Sequence, residues 1–135
     1  AASAEVSADW DASSGVAAVV VNTSIPVESI SALVEKVAVP VCVTACAADD
    51  VVRRQIAAGA SIVNVAAGSR TPQVVEALRR EYPDLPIIAT GGPTDDAIRA
   101  TIAAGADAVS WTPPAIADLE REVMEKARRL AAELL

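Results

Sequence analysis

The chain has 135 residues, 53% hydrophobic and 21% charged, with 11 Lys and Arg against 18 Asp and Glu, a formal net charge of -7 and no His. This is enough apolar material for one globular domain that folds without metals or disulfides, and the acidic balance, with no basic cluster larger than an Arg pair, argues against nucleic acid and an acidic membrane surface as partners. The absence of His removes the commonest general base and metal ligand, and the lack of a long apolar run or a secretory leader leads us to expect no membrane span and a cytoplasmic location.

In chain order, residues 1–15 are rich in Ala, Ser and Asp, with Val6, Ala8 and Trp10 alternating. They read as an N-terminal arm or a short edge strand, with 16–135 as a single (βα)5 domain. Five short apolar runs follow, at 16–21, 41–45, 62–67, 87–90 and 106–111, each of strand length and mostly rich in β-branched residues. Each is followed by a segment of helical spacing: Val27, Ile30, Leu33, Val34 and Val37; Val51, Val52 and Ile56; Val74, Val75 and Leu78; Ile98 and Ile102; and Ile116, Leu119, Val123, Ala127, Leu130 and Leu134. Pro26, Pro72 and Pro114 fall near first helical turns, Thr71 and Thr94 are candidate N-caps, and Asp49, Asp50, Asp95 and Asp96 place negative charge at helix starts. Short connections between alternating strands and helices predict a parallel sheet with right-handed crossovers. The last helix, 115–135, is the longest, and its apolar stripe is expected to pack first on the sheet, with its surplus turns free to meet a neighbour.

A repeat runs through this pattern. Ile-Ala-Ala-Gly-Ala-Ser at 56–61 returns as Ile-Ala-Ala-Gly-Ala-Asp at 102–107, and Pro40 and Pro86 precede alternate strands at the same offset. The repeating unit is βαβα, which suits a barrel of paired units and reads as internal duplication.

Alternation within the strands distinguishes two architectures. One face carries Val19, Val21, Val41, Val43, Val63, Val65, Ile87 and Val109; the other carries Val20, Asn22, Cys42, Thr44, Cys46, Ile62, Asn64, Ile88, Thr90, Ala108 and Ser110. Polar groups buried under helices without partners cost about 1 to 3 kcal/mol each, but little at the wet mouth of a barrel. The expected fold is therefore α/β, with parallel βα repeats forming a partial, half TIM-barrel-like sheet; the alternative is a five-stranded doubly wound flavodoxin-like sandwich. Five strands leave the inner face open, and a second copy of the chain is the simplest cover.

The segment Ala-Thr-Gly-Gly-Pro-Thr-Asp-Asp at 89–96 sits at a strand end and opens a helix, so Thr90, Gly91, Gly92 and Thr94 are candidate phosphate-binding residues. A tight βα turn would need the same glycines. Asn22, Thr44, Cys46, Asn64, Ser110 and Trp111 are candidate pocket residues along the strand ends. Cys42 and Cys46 are the only cysteines; on one strand they lie roughly 13 Å apart, too far to bridge, and read as reduced thiols.

Tyr-Pro-Asp-Leu-Pro-Ile-Ile-Ala-Thr-Gly-Gly at 82–92, followed by a helix and Ala-Gly-Ala-Asp-Ala-Val at 104–109, resembles the last two strand units of phosphate-binding (βα)8 barrels such as the keto-deoxy-phosphogluconate aldolases. Thr-Gly-Gly-Pro-Thr at 90–94 and Trp-Thr-Pro-Pro at 111–114 are similar to a motif pair of microbial barrel proteins labelled hydrolases. The resemblance covers roughly 14–128 and implies that the five strands correspond to the fourth to eighth of a barrel. It also implies a small phosphorylated ligand. Against this, Pro113 and Pro114 offer no N–H to complete a phosphate site, and Lys36 and Lys126, the only lysines, lie on helices rather than on a strand where a Schiff-base lysine belongs.

No Asp, Glu, Lys or His stands at the C-terminal end of a predicted strand, where barrels keep catalytic groups. The sequence thus leads to a barrel-derived scaffold without catalytic residues, metal or cofactor, self-associating through its open face; the alternative is a phosphosugar- or phosphate-binding enzyme of the barrel type. Zero Phe, zero His and the idealised last helix also read as a trimmed or engineered chain.

Overall fold

The computed structural model describes residues 15–92, 94–111 and 116–133. Its elements alternate strictly: β1 (Val19–Val21), α1 (Val27–Lys36), β2 (Val41–Ala45), α2 (Asp50–Ala57), β3 (Ile62–Val65), a 3-10 turn (Gly68–Arg70), α3 (Thr71–Glu81), β4 (Ile87–Thr90), α4 (Asp95–Ala103), β5 (Ala108–Ser110) and α5 (Ile116–Glu133). The strands form one sheet in the order β1-β2-β3-β4-β5, with every neighbouring pair parallel.

That order decides between the two expected architectures. A doubly wound sheet reverses direction part-way along, which puts helices on both faces; here each crossover steps to the next position, so right-handed connections stack the helices on one face. The core agrees: Ile30 of α1, Val52 of α2 and Val74, Val75 and Leu78 of α3 join Val43, Ala45, Val63, Val65, Ile87 and Ala89 in a single cluster. All six strand residues belong to one face by register, since Val21 pairs with Val43, Val43 with Val63, and Val63 with Ile87. Burying each Val, Ile or Leu of this cluster stabilises the fold by about 1.5 to 3 kcal/mol. The sandwich alternative is excluded, and the sheet is that of a partial barrel.

The helix starts follow from local chemistry. Asp49 accepts the N–H groups of Val51 and Val52 at 3.0 and 3.1 Å to cap α2, and the Thr94 hydroxyl accepts that of Ala97 at 3.2 Å to cap α4. Pro26 occupies the N-cap position of α1, and Pro72 lies in the first turn of α3. Pro114 lies outside the described residues, as do residues 1–14. Thr71 is not the expected cap: it is the first residue of α3, buried, and its hydroxyl accepts the N–H of Ala67 at 3.1 Å. That bond closes the β3–α3 connection and ends β3 two residues short of the predicted run.

The repeated hexapeptides make the same turn twice. Gly59 and Gly105 hold φ of +108° and +104°, and their N–H groups donate to Ile56 and Ile102 at 3.0 Å each. Ala60 and Ala106 reach back to Gln55 and Thr101 at 3.2 and 3.4 Å, completing a Schellman-type helix end. Gln55 and Thr101, equivalent by the repeat, are both fully buried, a pairing that apolar spacing does not signal.

The last position of the repeat differs. Asp107 accepts the N–H of Ile87 at 2.7 Å and Arg79 Nη2 at 2.6 Å, and these donors, the Ile87 N–H first, hold its carboxyl below the usual carboxylate range. Arg79 also donates to the carbonyls of Gly105, Pro83 and Leu85, so it ties α3 to the turns on both sides of β4. Ser61 stands in this place in the first copy.

Two expectations about apolar faces fail at the β5 end of the sheet. Ile102 is 56% exposed, and α4 turns Thr101 inward instead. No described residue of α5 is buried: Ile116, Leu119, Val123, Met124 and Leu130 are all exposed, so the stripe expected to pack on the sheet has no sheet under it.

The positive φ at Gly59 and Gly105 predicts that Gly59→Ala or Gly105→Ala destabilises the protein by about 1 to 2 kcal/mol in urea unfolding. A depressed carboxylate contributes stability that is present above its unfolded pKa of about 3.9 and is lost as pH falls through the lower folded value. Asp107→Asn is therefore expected to flatten the acid limb of the stability profile below about pH 4, with only a small loss at neutral pH because solvent screens the exposed pair. An unchanged acid limb would contradict this role for Asp107.

Candidate functional site

The strand face opposite the helices is built in layers by the register. Val20, Cys42 and Ile62 align across β1–β3; Thr44, Asn64, Ile88 and Ala108 align across β2–β5; Thr90 and Ser110 pair at the C-terminal ends of β4 and β5. The layers run from apolar to polar toward the C-terminal edge. Cys42 is buried, and that burial pushes its thiol pKa up, whereas Thr44, Ile62, Asn64, Ile88 and Thr90 are half-buried and Val20, Ala108 and Ser110 exposed.

The structure thus brings Thr44, Asn64, Thr90 and Ser110 onto one surface, at the edge where a barrel opens. Asn22 follows β1 and is exposed, and its side-chain carbonyl accepts the Thr23 hydroxyl at 2.9 Å. Cys46 follows β2 as an exposed free thiol. It lines a cavity of about 300 Å³ between the β1–α1 and β2–α2 loops, with Thr23, Ser24, Ala45, Ala47, Asp49, Val51 and Val52. Trp111, directly after β5, is 61% exposed. The Ser110 hydroxyl turns to the carbonyl of Ala89 at 3.4 Å.

The two glycines after β4 have separate tasks. Gly91 extends the ladder, its N–H donating to the Ser110 carbonyl at 3.0 Å, so that group is not free to hold an anion. It is glycine because a Cβ there would stand 2.3 Å from Val109 Cγ1 and 3.0 Å from Ile98 Cγ1, where α4 closes on β4 and β5. Gly92 holds φ +76°, and its N–H has no partner among the described residues. Thr94 spends an oxygen lone pair on its cap and keeps its hydroxyl proton. Pro93 and residues 112–115, with Thr112, Pro113 and Pro114, lie outside the described residues.

Gln55 was not legible as a site residue. Fully buried on α2, it donates Nε2 to the Thr23 carbonyl at 3.3 Å, binding the β1–α1 loop to the helix, while Oε1 has no partner among the described residues. Its position in the hexapeptide turn, equivalent to Thr101, is the only sequence signal for it. Among the described residues no group of three or more His, Cys, Asp or Glu is placed to hold a metal ion, and no helix is long and apolar enough to cross a membrane.

No family model and no curated protein matches the chain. Among solved structures, 52 chains match. One, described as "Native KDPGal structure", is 25% identical with a TM-score of 0.64, over 95% of this chain and 66% of the other. The chain shares its fold with this neighbour, as a partial βα barrel. The chain spans about two thirds of that neighbour's length.

Gly91→Ala is expected to destabilise the partial barrel by about 1 to 3 kcal/mol, because Val109 and Ile98 must move to admit the methyl group. Thermal unfolding checks this, and an unchanged midpoint would remove the close approach of α4 to β4 and β5 as the reason for the glycine.

Proposed function

We propose that the chain is a barrel-derived α/β scaffold without chemistry of its own, which self-associates to cover its inner face. The observation that carries this reading is the composition of the C-terminal strand edge. Asn22, Thr44, Cys46, Asn64, Thr90 and Ser110 offer amides, hydroxyls and one thiol, with no carboxylate, amine or imidazole among them. The thiol of Cys46 has no His to activate it, and both lysines lie on helices, Lys36 on α1 and Lys126 on α5. The exposed Val20, Ala108 and Ser110 on the strand face opposite the helices support self-association.

A second reading has one observation in its favour: the N–H of Gly92, in a left-handed conformation at the start of α4, with the Thr94 hydroxyl beside it. With Thr90 it would form a phosphate or phosphosugar site of the kind that the Thr-Gly-Gly-Pro-Thr motif implies, with Asn22, Thr44, Asn64 and Ser110 as polar contacts and Trp111 at the rim. Gly91 contributes shape to such a site rather than a donor.

Sedimentation equilibrium is expected to give at least twice the chain mass of 13.8 kDa; a well-behaved monomer at micromolar concentration overturns self-association. Titration with inorganic phosphate and a sugar phosphate, followed by amide NMR, is expected to leave Gly92 and Thr94 unshifted at millimolar ligand. Saturable shifts there would establish the second reading in place of the first. Borohydride reduction in the presence of a 2-keto acid is expected to leave the mass unchanged, and a stable lysine adduct would overturn the absence of chemistry.

A further inference from the structure

We draw no further inference here: the strongest candidate, the cavity of about 300 Å³ between the β1–α1 and β2–α2 loops that holds the exposed Cys46 thiol, rests on a lone cysteine, since the buried Gln55 beside it donates to the Thr23 carbonyl and does not line the cavity, and nothing among the described residues points to a ligand there.

Discussion

A parallel strand followed by a right-handed crossover to the adjacent position steps the sheet always in the same direction, and four such steps fix everything else in this molecule. They place α1 to α4 on one face, commit Val43, Val63, Val65 and Ile87 to a single core, and turn Thr44, Asn64, Thr90 and Ser110 away from it. A reversal of direction after any strand would have buried those hydroxyls and amides under a helix. The sheet therefore keeps one apolar and one partly polar face.

The helices are held to the sheet by small residues at the places where they approach it most closely. Gly91 lets α4 settle on Val109, and the turns at Gly59 and Gly105 bring α1 and α3 side chains within contact: a Cβ would stand 3.0 Å from Val34 in one case and from Arg79 in the other. Of the two glycines that suggest a ligand loop in the sequence, Gly91 is thus consumed by packing and by the ladder and Gly92 is not. Alternating helices and strands need tight βα and αβ turns whether or not a ligand binds, so a Gly-Gly pair at a strand end carries less functional information than its position suggests.

What the sequence disclosed follows the same division. The limits of β2 and β4 were legible because each is a short run rich in β-branched residues that follows a proline, Pro40 or Pro86. The hexapeptide repeat, read as a duplication, corresponds in the structure to two equivalent turns whose glycines agree to within a few degrees. Thr71 was misread because a Thr beside Pro72 has the pattern of a cap, although its hydroxyl serves the preceding loop. Gln55 was missed because a buried amide leaves no periodic trace, and α5 was misplaced because amphipathic spacing says that a helix needs a surface without saying which.

The paired polar positions also bear on how the sheet tolerates its open side. Thr44 beside Asn64 and Thr90 beside Ser110 put hydrogen-bonding groups where water reaches them, while the inner residue most thoroughly buried, Cys42, is small and sits between Val20 and Ile62. A thiol raised in pKa by burial stays protonated and behaves there as a small apolar group. The inner face is consequently apolar at the N-terminal end of the strands and hydrated at the C-terminal end. This gradient is the one a barrel interior requires.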